Sequence, residues 1–295
     1  MQPRPVRRRR YLAGVAGALS VAGCLGRSAQ QPVSLHAAGS LNHALENGLR
    51  DRVDVPLRIE ARGSTELARL VDEGVRDPDV LSLADPVLFE SPLSPEWYAT
   101  FATNALVVAH DDTAAGRRIA EAGSGAWFRP LLSDDVSLGR TDPDLDPLGY
   151  RTLFALELAT DYYGLDRNLR EAVTGRDQIY PETQLLGQFE TGGVDAAVTY
   201  RSMAVSRGYD YVDLPAAIDL SDPDRTGEYA TASYELPDGS VVRGAPIRYV
   251  STVRHRSRAA DEAFRAHVTA PLDEFGFAVP DDYPRYAGNA PDALA

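Results

Sequence analysis

Three short turns in this 295-residue chain carry the groups that could do chemistry: Gly39-Ser40, Gly63-Ser64 and Asp146-Pro147-Leu148-Gly149. Each follows a strand-like or extended stretch and opens one with helical spacing. A helix N-terminus presents unpaired backbone N–H groups and a partial positive charge. Serine hydroxyls add neutral donors. Several such turns brought together would bind an anion without any lysine or arginine. Each turn also has an ordinary use, because Ser and Asp are favoured N-caps and Pro fits the first helical position. Position favours a joint site, since ligands of α/β proteins sit at the carboxyl ends of strands.

The elements that would place these turns alternate in type. Residues 33–38 read as a strand, and Leu41, Leu45 and Leu49 then recur at helical spacing. Residues 57–61 read as a second strand, Leu67, Leu70, Val71 and Val75 mark a helix, and 79–84 form a third strand. That rhythm predicts parallel pairing with crossover helices. Residues 101–109 read as one long strand crossing between lobes, and 127–132 begin a new unit. A helix with Leu153, Phe154, Leu156, Leu158 and Tyr162 as its apolar content follows Pro147. Another is expected from Pro181 to about Phe189, ending at Gly192-Gly193. Residues 196–200 and 246–253 read as strands, and 259–268 as the last amphipathic helix. The length exceeds what one small core holds, so two lobes are expected.

Composition bounds where such a site would work. Residues 1–10 hold five arginines and no acid, and Arg8-Arg9-Arg10-Tyr11-Leu12 has the form of a twin-arginine export signal. A short apolar run ends in Val21-Ala22-Gly23-Cys24. A basic segment, an apolar core and small residues at a cleavage point define an exported leader, here 1–23. The apolar run is too short to span a bilayer. Cys24 fits a lipobox, so the expectation is an acylated Cys24, a polar tether over 24–32, and a body anchored by its lipid at the extracellular face of the cytoplasmic membrane. Cys24 is the only cysteine, which excludes a disulfide or thiol catalysis in the body.

The formal charge of −13 becomes −18 once the leader's five arginines, with no acids, are removed. No lysine occurs anywhere. A scattered acidic surface of this kind suits a halophile, because salt screens the repulsion between carboxylates. It argues against nucleic acid as a partner, since no basic stripe survives cleavage. An anion would have to be captured locally, against the field of the whole molecule.

Four segments carry a resemblance to a known family. His36-Ala37-Ala38-Gly39-Ser40-Leu41 resembles the opening motif of the archaeal molybdate/tungstate-binding proteins of ABC importers, and Ile59-Glu60-Ala61-Arg62-Gly63-Ser64 followed by Ala68-Arg69 their second. Leu145-Asp146-Pro147-Leu148-Gly149-Tyr150-Arg151 is similar to their D-P-C-G-Y-R, and Tyr200-Arg201-Ser202-Met203-Ala204 to their Y-R-S-V-A. The last two are the most specific, and the likeness runs from about Val33 to about Phe277. It implies an α/β, bilobal, periplasmic-binding-protein type II fold: two mixed-sheet lobes joined by a two-strand hinge. One lobe would be 33–104 with 244–295, the other 105–243. It implies capture of molybdate or tungstate outside the cell for delivery to ABC permease subunits, by a monomer that is not an enzyme and needs no cofactor. Gly39, Ser40 and Ser64 would bind the ligand from one lobe. Backbone groups of Asp146, Pro147 and Leu148, with the Tyr200 hydroxyl, would bind it from the other. Leu148 stands where the family has Cys, which matters little if only its amide is used. Arg151 and Arg201 could be oxyanion partners, although structural ion pairs are the commoner use at such helix starts.

The resemblance also implies that Asp146 and Glu182 approach the metal atom of the ligand. Two carboxylates ordinarily repel a dianion. Mo(VI) and W(VI) can accept further hard oxygen ligands, whereas sulfur and phosphorus in their oxyanions cannot. The pair would then select against sulfate, thiosulfate and phosphate, the alternative ligands. The plainer use of Asp146 is as a helix cap, and of Glu182 as a partner for a helix dipole. A remoter alternative is a secreted hydrolase with Ser40 as nucleophile and His36 as base. No G-x-S-x-G, H-E-x-x-H or P-loop motif accompanies it.

Overall fold

The computed structural model describes residues 31–175 and 178–294. The expected leader, with Arg8 and Arg9, the acylation site Cys24 and most of the tether lie outside the described residues. Among the described residues no helix is long and apolar enough to cross a membrane.

The first sheet draws on both ends of the described chain. Its strands are β1 (Val33–Ala38), β2 (Leu57–Arg62), β3 (Val80–Leu83) and β4 (Trp97–Thr103), and near the C-terminus β11 (Arg248–Val253) and β12 (Arg285–Gly288), in the order β12-β4-β11-β3-β1-β2. β1 runs parallel to both β2 and β3. β11 is antiparallel to β3 and β4, and β12 to β4, so the sheet is mixed. β1 and β3 read as near-continuous apolar runs because both their faces are covered, and all four residues of β3 are buried.

The second sheet takes the middle of the chain: β5 (Leu106–His110), β6 (Leu138–Gly139), β7 (Ala196–Tyr200) and β8 (Tyr211–Asp213), in the order β6-β7-β5-β8. It too is mixed, with β6 parallel and β5 antiparallel to β7. A hairpin of β9 (Ser233–Glu235) and β10 (Val241–Arg243) stands beside it as its own two-stranded sheet.

The long strand expected over 101–109 is in fact two strands in different sheets. The break falls at Asn104-Ala105, where backbone partners change: Thr103 pairs with Ala278 in the first lobe, and the Leu106 N–H with the Asp219 carbonyl on the second-lobe side. An apolar run shows burial but not which sheet supplies the partners. The helix expected through Leu41, Leu45 and Leu49 is an irregular run, with a 3-10 turn at Gly39–Leu41, an α turn at Asn42–Ala44 and a π turn at Leu45–Leu49. All three leucines are buried as their spacing requires. Gly48, a poor helix former, lies in the widened turn, where a Cβ would sit 2.8 Å from the Phe275 ring. The next helix, Ser64–Asp72, ends before Val75, which is exposed beyond Gly74 and its left-handed φ of 70°. The helix expected from Pro181 divides into Glu182–Leu185 and Gly187–Thr191.

Candidate functional site

Each of the three turns starts a helical element, and the structure brings the turns to one place between the lobes. Gly39 and Ser40 begin the 3-10 turn at the carboxyl end of β1. Gly63 is the N-cap of Ser64–Asp72 at the end of β2. Asp146 caps the helix Pro147–Tyr162, with Pro147 at its start. The turns meet across the cleft at contact distance. The Glu66 amide donates to the Leu145 carbonyl at 2.9 Å. A Cβ on Gly63 would lie 2.7 Å from Cβ of Asp146, and one on Gly39 would lie 3.0 Å from Cδ of Glu182. Both serines have thus been placed opposite a carboxylate of the other lobe, with a glycine beside each to allow the approach.

The hydroxyls are arranged as donors. Ser64 Oγ accepts from the Ala84 amide at 3.0 Å, and Ser40 Oγ accepts from the Tyr249 hydroxyl at 3.0 Å. Tyr200 Oη accepts from Arg151 Nη1 at 2.7 Å. Each oxygen accepts from a protein donor, which orients its own proton away from that donor, and the Ser40 proton faces the Glu182 carboxylate. All three side chains are buried. Burial, and after it Tyr249, Glu182 and Asp146, hold the Tyr200 pKa well above the ordinary phenol value against the pull of Arg151, so the hydroxyl keeps its proton.

The two carboxylates lie in the same pocket, a cavity of about 450 Å³ that also touches Gly63, Leu145 and Tyr180 and, among charged residues, Glu60, Arg62, Glu66 and Asp142. Asp146 Oδ1 accepts from Thr141 Oγ1 at 2.9 Å and the Gly149 amide at 3.1 Å. Its capping role is therefore real, and it coexists with a place on the pocket wall. Burial raises its pKa to about 7, although the Thr141 hydroxyl and the Gly149 and Leu148 amides pull the other way. Glu182 opens a four-residue helix, and its Oε2 is buried without a hydrogen-bond partner. Burial and then the Asp146 charge push its pKa well up, against the Ser40 hydroxyl and the Gly39 and Ser40 amides that face it. Leu148 is buried and its amide faces the Asp146 carboxylate, while Pro147 has no N–H to give.

That pair makes ionisation costly in the protein without ligand. A carboxyl group whose folded pKa is raised adds no penalty below its unfolded value and an increasing one as pH climbs through the folded value. Glu182→Gln should therefore match the wild type near pH 4 and become the more stable of the two as pH rises past about 4.3, the ordinary glutamate value. Each unit of raised pKa is worth about 1.4 kcal/mol, or roughly 2–4 °C in a chain of this size. Thermal melts of both proteins from pH 4 to 8 check this; a gap that does not widen with pH refutes it.

Four residues at the site were not singled out from sequence. Asp85 ends β3 and joins the buried pair Tyr150–Arg151, accepting from Tyr150 Oη at 2.7 Å and Arg151 Nη2 at 2.9 Å. Its Asp85-Pro86 dipeptide closes a strand as the other turns do, which was the available signal. Tyr249 lies within β11 and gives no local sign of its role. Asn104 marks the crossover, donating to Ser202 Oγ at 2.7 Å and Tyr249 Oη at 3.2 Å. Thr141 supports Asp146. His36 does not serve Ser40: its Nε2 is 3.5 Å from Glu60 Oε2, its cross-strand neighbour, and its Nδ1 has no partner. Arg151 makes the structural ion pair, and Arg201 interacts with Tyr211 away from the turns.

Two mixed α/β lobes, joined at a crossover and facing each other across a cleft of convergent donors, have the architecture of a type II solute-binding protein. Residues 35–271 match the family of bacterial extracellular solute-binding proteins, and the chain belongs to that family. A Haloferax volcanii protein, whose assigned name is that of an ABC-transporter molybdenum-binding protein, is 54% identical over 96% of this chain and 95% of its own length. The molybdate/tungstate-binding protein of Thermococcus kodakarensis is 30% identical, over 68% of this chain and 64% of its own. Among solved structures, the periplasmic molybdate-binding protein of Azotobacter vinelandii superposes with a TM-score of 0.57, covering 84% of this chain and 100% of that one at 14% identity, a likeness of fold.

Proposed function

We propose that this protein captures molybdate or tungstate outside the cell and delivers it to the permease of an ABC importer. The observation that carries this reading is the pairing of two buried carboxylates, Asp146 and Glu182, on one pocket, beside turns whose serine hydroxyls and amides are neutral donors. Ser40, Ser64 and Tyr200 would hold the oxyanion's oxygens together with amides of Gly39, Ser40 and Leu148. Asp146 and Glu182 would add oxygen ligands to the metal atom. For sulfate or phosphate the same two groups are only repulsive. The guanidinium that lines the pocket, Arg62, is already paired with Glu60 and Glu66, and Arg151 with Asp85, so neither relieves that repulsion. The relatives named for molybdenum, molybdate and tungstate support the same ligand class.

In this reading the protein works as a monomer, exported through its twin-arginine leader and anchored by acylated Cys24. The lobes close on the ligand, and the permease reads the closed form. The test is calorimetric titration of the full chain in high salt with tungstate, molybdate and sulfate. The two metal oxyanions should bind, with sulfate at least roughly 100-fold weaker, a difference of about 2.7 kcal/mol. Sulfate that displaces tungstate at comparable concentration defeats the expanded-coordination account and leaves an ordinary tetrahedral-oxyanion binder.

A further inference from the structure

The geometry points to Asp85 as a positioning residue: it clamps Arg151 across the cleft, and Arg151 in turn holds the Tyr200 hydroxyl in its ligand-donating orientation. Asp85 follows β3 in the first lobe, whereas Arg151 and Tyr200 belong to the second. One planar guanidinium serves both ends, with Nη2 2.9 Å from Asp85 Oδ2 and Nη1 2.7 Å from Tyr200 Oη. A lysine could not span the two in one plane. The guanidinium carbon also sits 5.9 Å from the Tyr150 ring centre and 5.8 Å from that of Tyr200, so the fork is packed between aromatic rings. Asp85 is fixed in turn, since Oδ2 accepts from Tyr150 Oη and Oδ1 from the Val87 amide at 3.1 Å.

The chain of contacts reaches the pocket from both lobes. Ala84, the neighbour of Asp85, gives its amide to Ser64 Oγ. Tyr200 takes its bond from Arg151 and thereby presents its proton. Asp85 thus sits one residue from the support of a first-lobe donor and one side chain from the support of a second-lobe donor. The Asp85–Arg151 contact exists only when the lobes meet, because its halves lie on opposite sides of the cleft. Breaking it costs the closed form two things at once: an ion pair between lobes, and the orientation of one ligand-facing hydroxyl. Loss of closed-state contacts is felt in release more than in capture. The clamp makes no choice among anions, so its removal should weaken every ligand alike, unlike loss of Asp146 or Glu182.

The ligand arm of this inference rests on the function proposed above. Full-length wild type, Asp85→Asn, Tyr200→Phe and the double variant would be compared in high salt, with tungstate as the probe. Stopped-flow should give Asp85→Asn a release rate roughly 10-fold or more above wild type, with association changed less than about 3-fold. The double variant should be no worse than the more damaged single one, because both act through the same hydroxyl. A generally weakened fold would not separate the two rates or couple Asp85 to Tyr200. Additive losses, or wild-type release from folded Asp85→Asn, overturn the clamp. Should Asp85→Asn misfold through its unpaired guanidinium, Asp85→Asn/Arg151→Gln removes both charges, and wild-type release from that protein is equally fatal. Small-angle scattering adds an arm without a ligand: the lobes exchange between open and closed forms and the contact favours the closed one, so Asp85→Asn should have the larger mean radius of gyration, and equal radii count against the clamp. Wild type that binds no tungstate would defeat the function reading, and the scattering comparison would still judge the clamp.

Discussion

Asp146→Asn should lose tungstate affinity by roughly 100-fold, about 3 kcal/mol, while its sulfate affinity stays level or rises. Asn is as good an N-cap as Asp, so the bond from the Gly149 amide to the position of Oδ1 can persist, and so can the helix Pro147–Tyr162 that it starts. What goes is the charge and the basicity of the second oxygen. For a metal oxyanion this is the loss of a coordinating group. For sulfate it is relief from a repulsive neighbour in a site where burial strengthens every electrostatic effect. The two ligands should therefore respond in opposite directions, which a general weakening of the fold cannot produce. Calorimetric titration with each anion gives the ratio directly. An unchanged tungstate-to-sulfate ratio removes Asp146 from the metal's shell and returns it to the simpler part of helix cap.

Much of this site could be read from the chain because its pieces are local. A glycine and a serine at the end of a strand announce a turn and a donor wherever they stand, and Asp146-Pro147 announces a helix start. These features depend on a few consecutive residues, and the structure places them as expected. The supports are legible only in three dimensions. Tyr249 lies 209 residues from the serine it supports, and Asp85 lies 66 from its guanidinium partner. Neither pairing leaves a trace in spacing, because both are made by sheet order and by the meeting of lobes. The same reason explains the misread strand at 101–109. Its apolar character is genuine on both sides of Asn104, but the exchange of hydrogen-bond partners there is a property of the fold. At 41–49 the spacing gave the buried face correctly and missed the irregular backbone, in which Gly48 packs closely against Phe275.

Gly63 and Gly39 carry the second large effect, and they should fail in different ways. A Cβ on Gly63 would run into the Leu145 carbonyl and would stand 2.7 Å from Cβ of Asp146. Those are backbone or near-backbone atoms of the opposite lobe, and the Leu145 carbonyl is already held by the Glu66 amide. Neither can swing aside, so Gly63→Ala should hold the lobes apart. The backbone at Gly63, with φ −56° and ψ 134°, suits alanine well, so the lobe that carries it has no cause to misfold. An unrelieved overlap costs about 1–3 kcal/mol, which predicts a tungstate affinity lower by roughly 5- to 150-fold, with weaker binding of every anion and no compaction on ligand addition. Gly39→Ala meets the carboxylate of Glu182, the mobile end of a side chain, with Cγ2 of Thr183 at 3.2 Å. That carboxylate can turn away while the lobes still close. Here closure should survive and selectivity should fall, because the displaced group is one that separates metal oxyanions from sulfate. Scattering with and without tungstate, beside titrations with both anions, tells the two outcomes apart. Full compaction in Gly63→Ala would mean that the contact between its turn and Asp146 does not limit closure, and intact discrimination in Gly39→Ala would mean that Glu182 has no part in it.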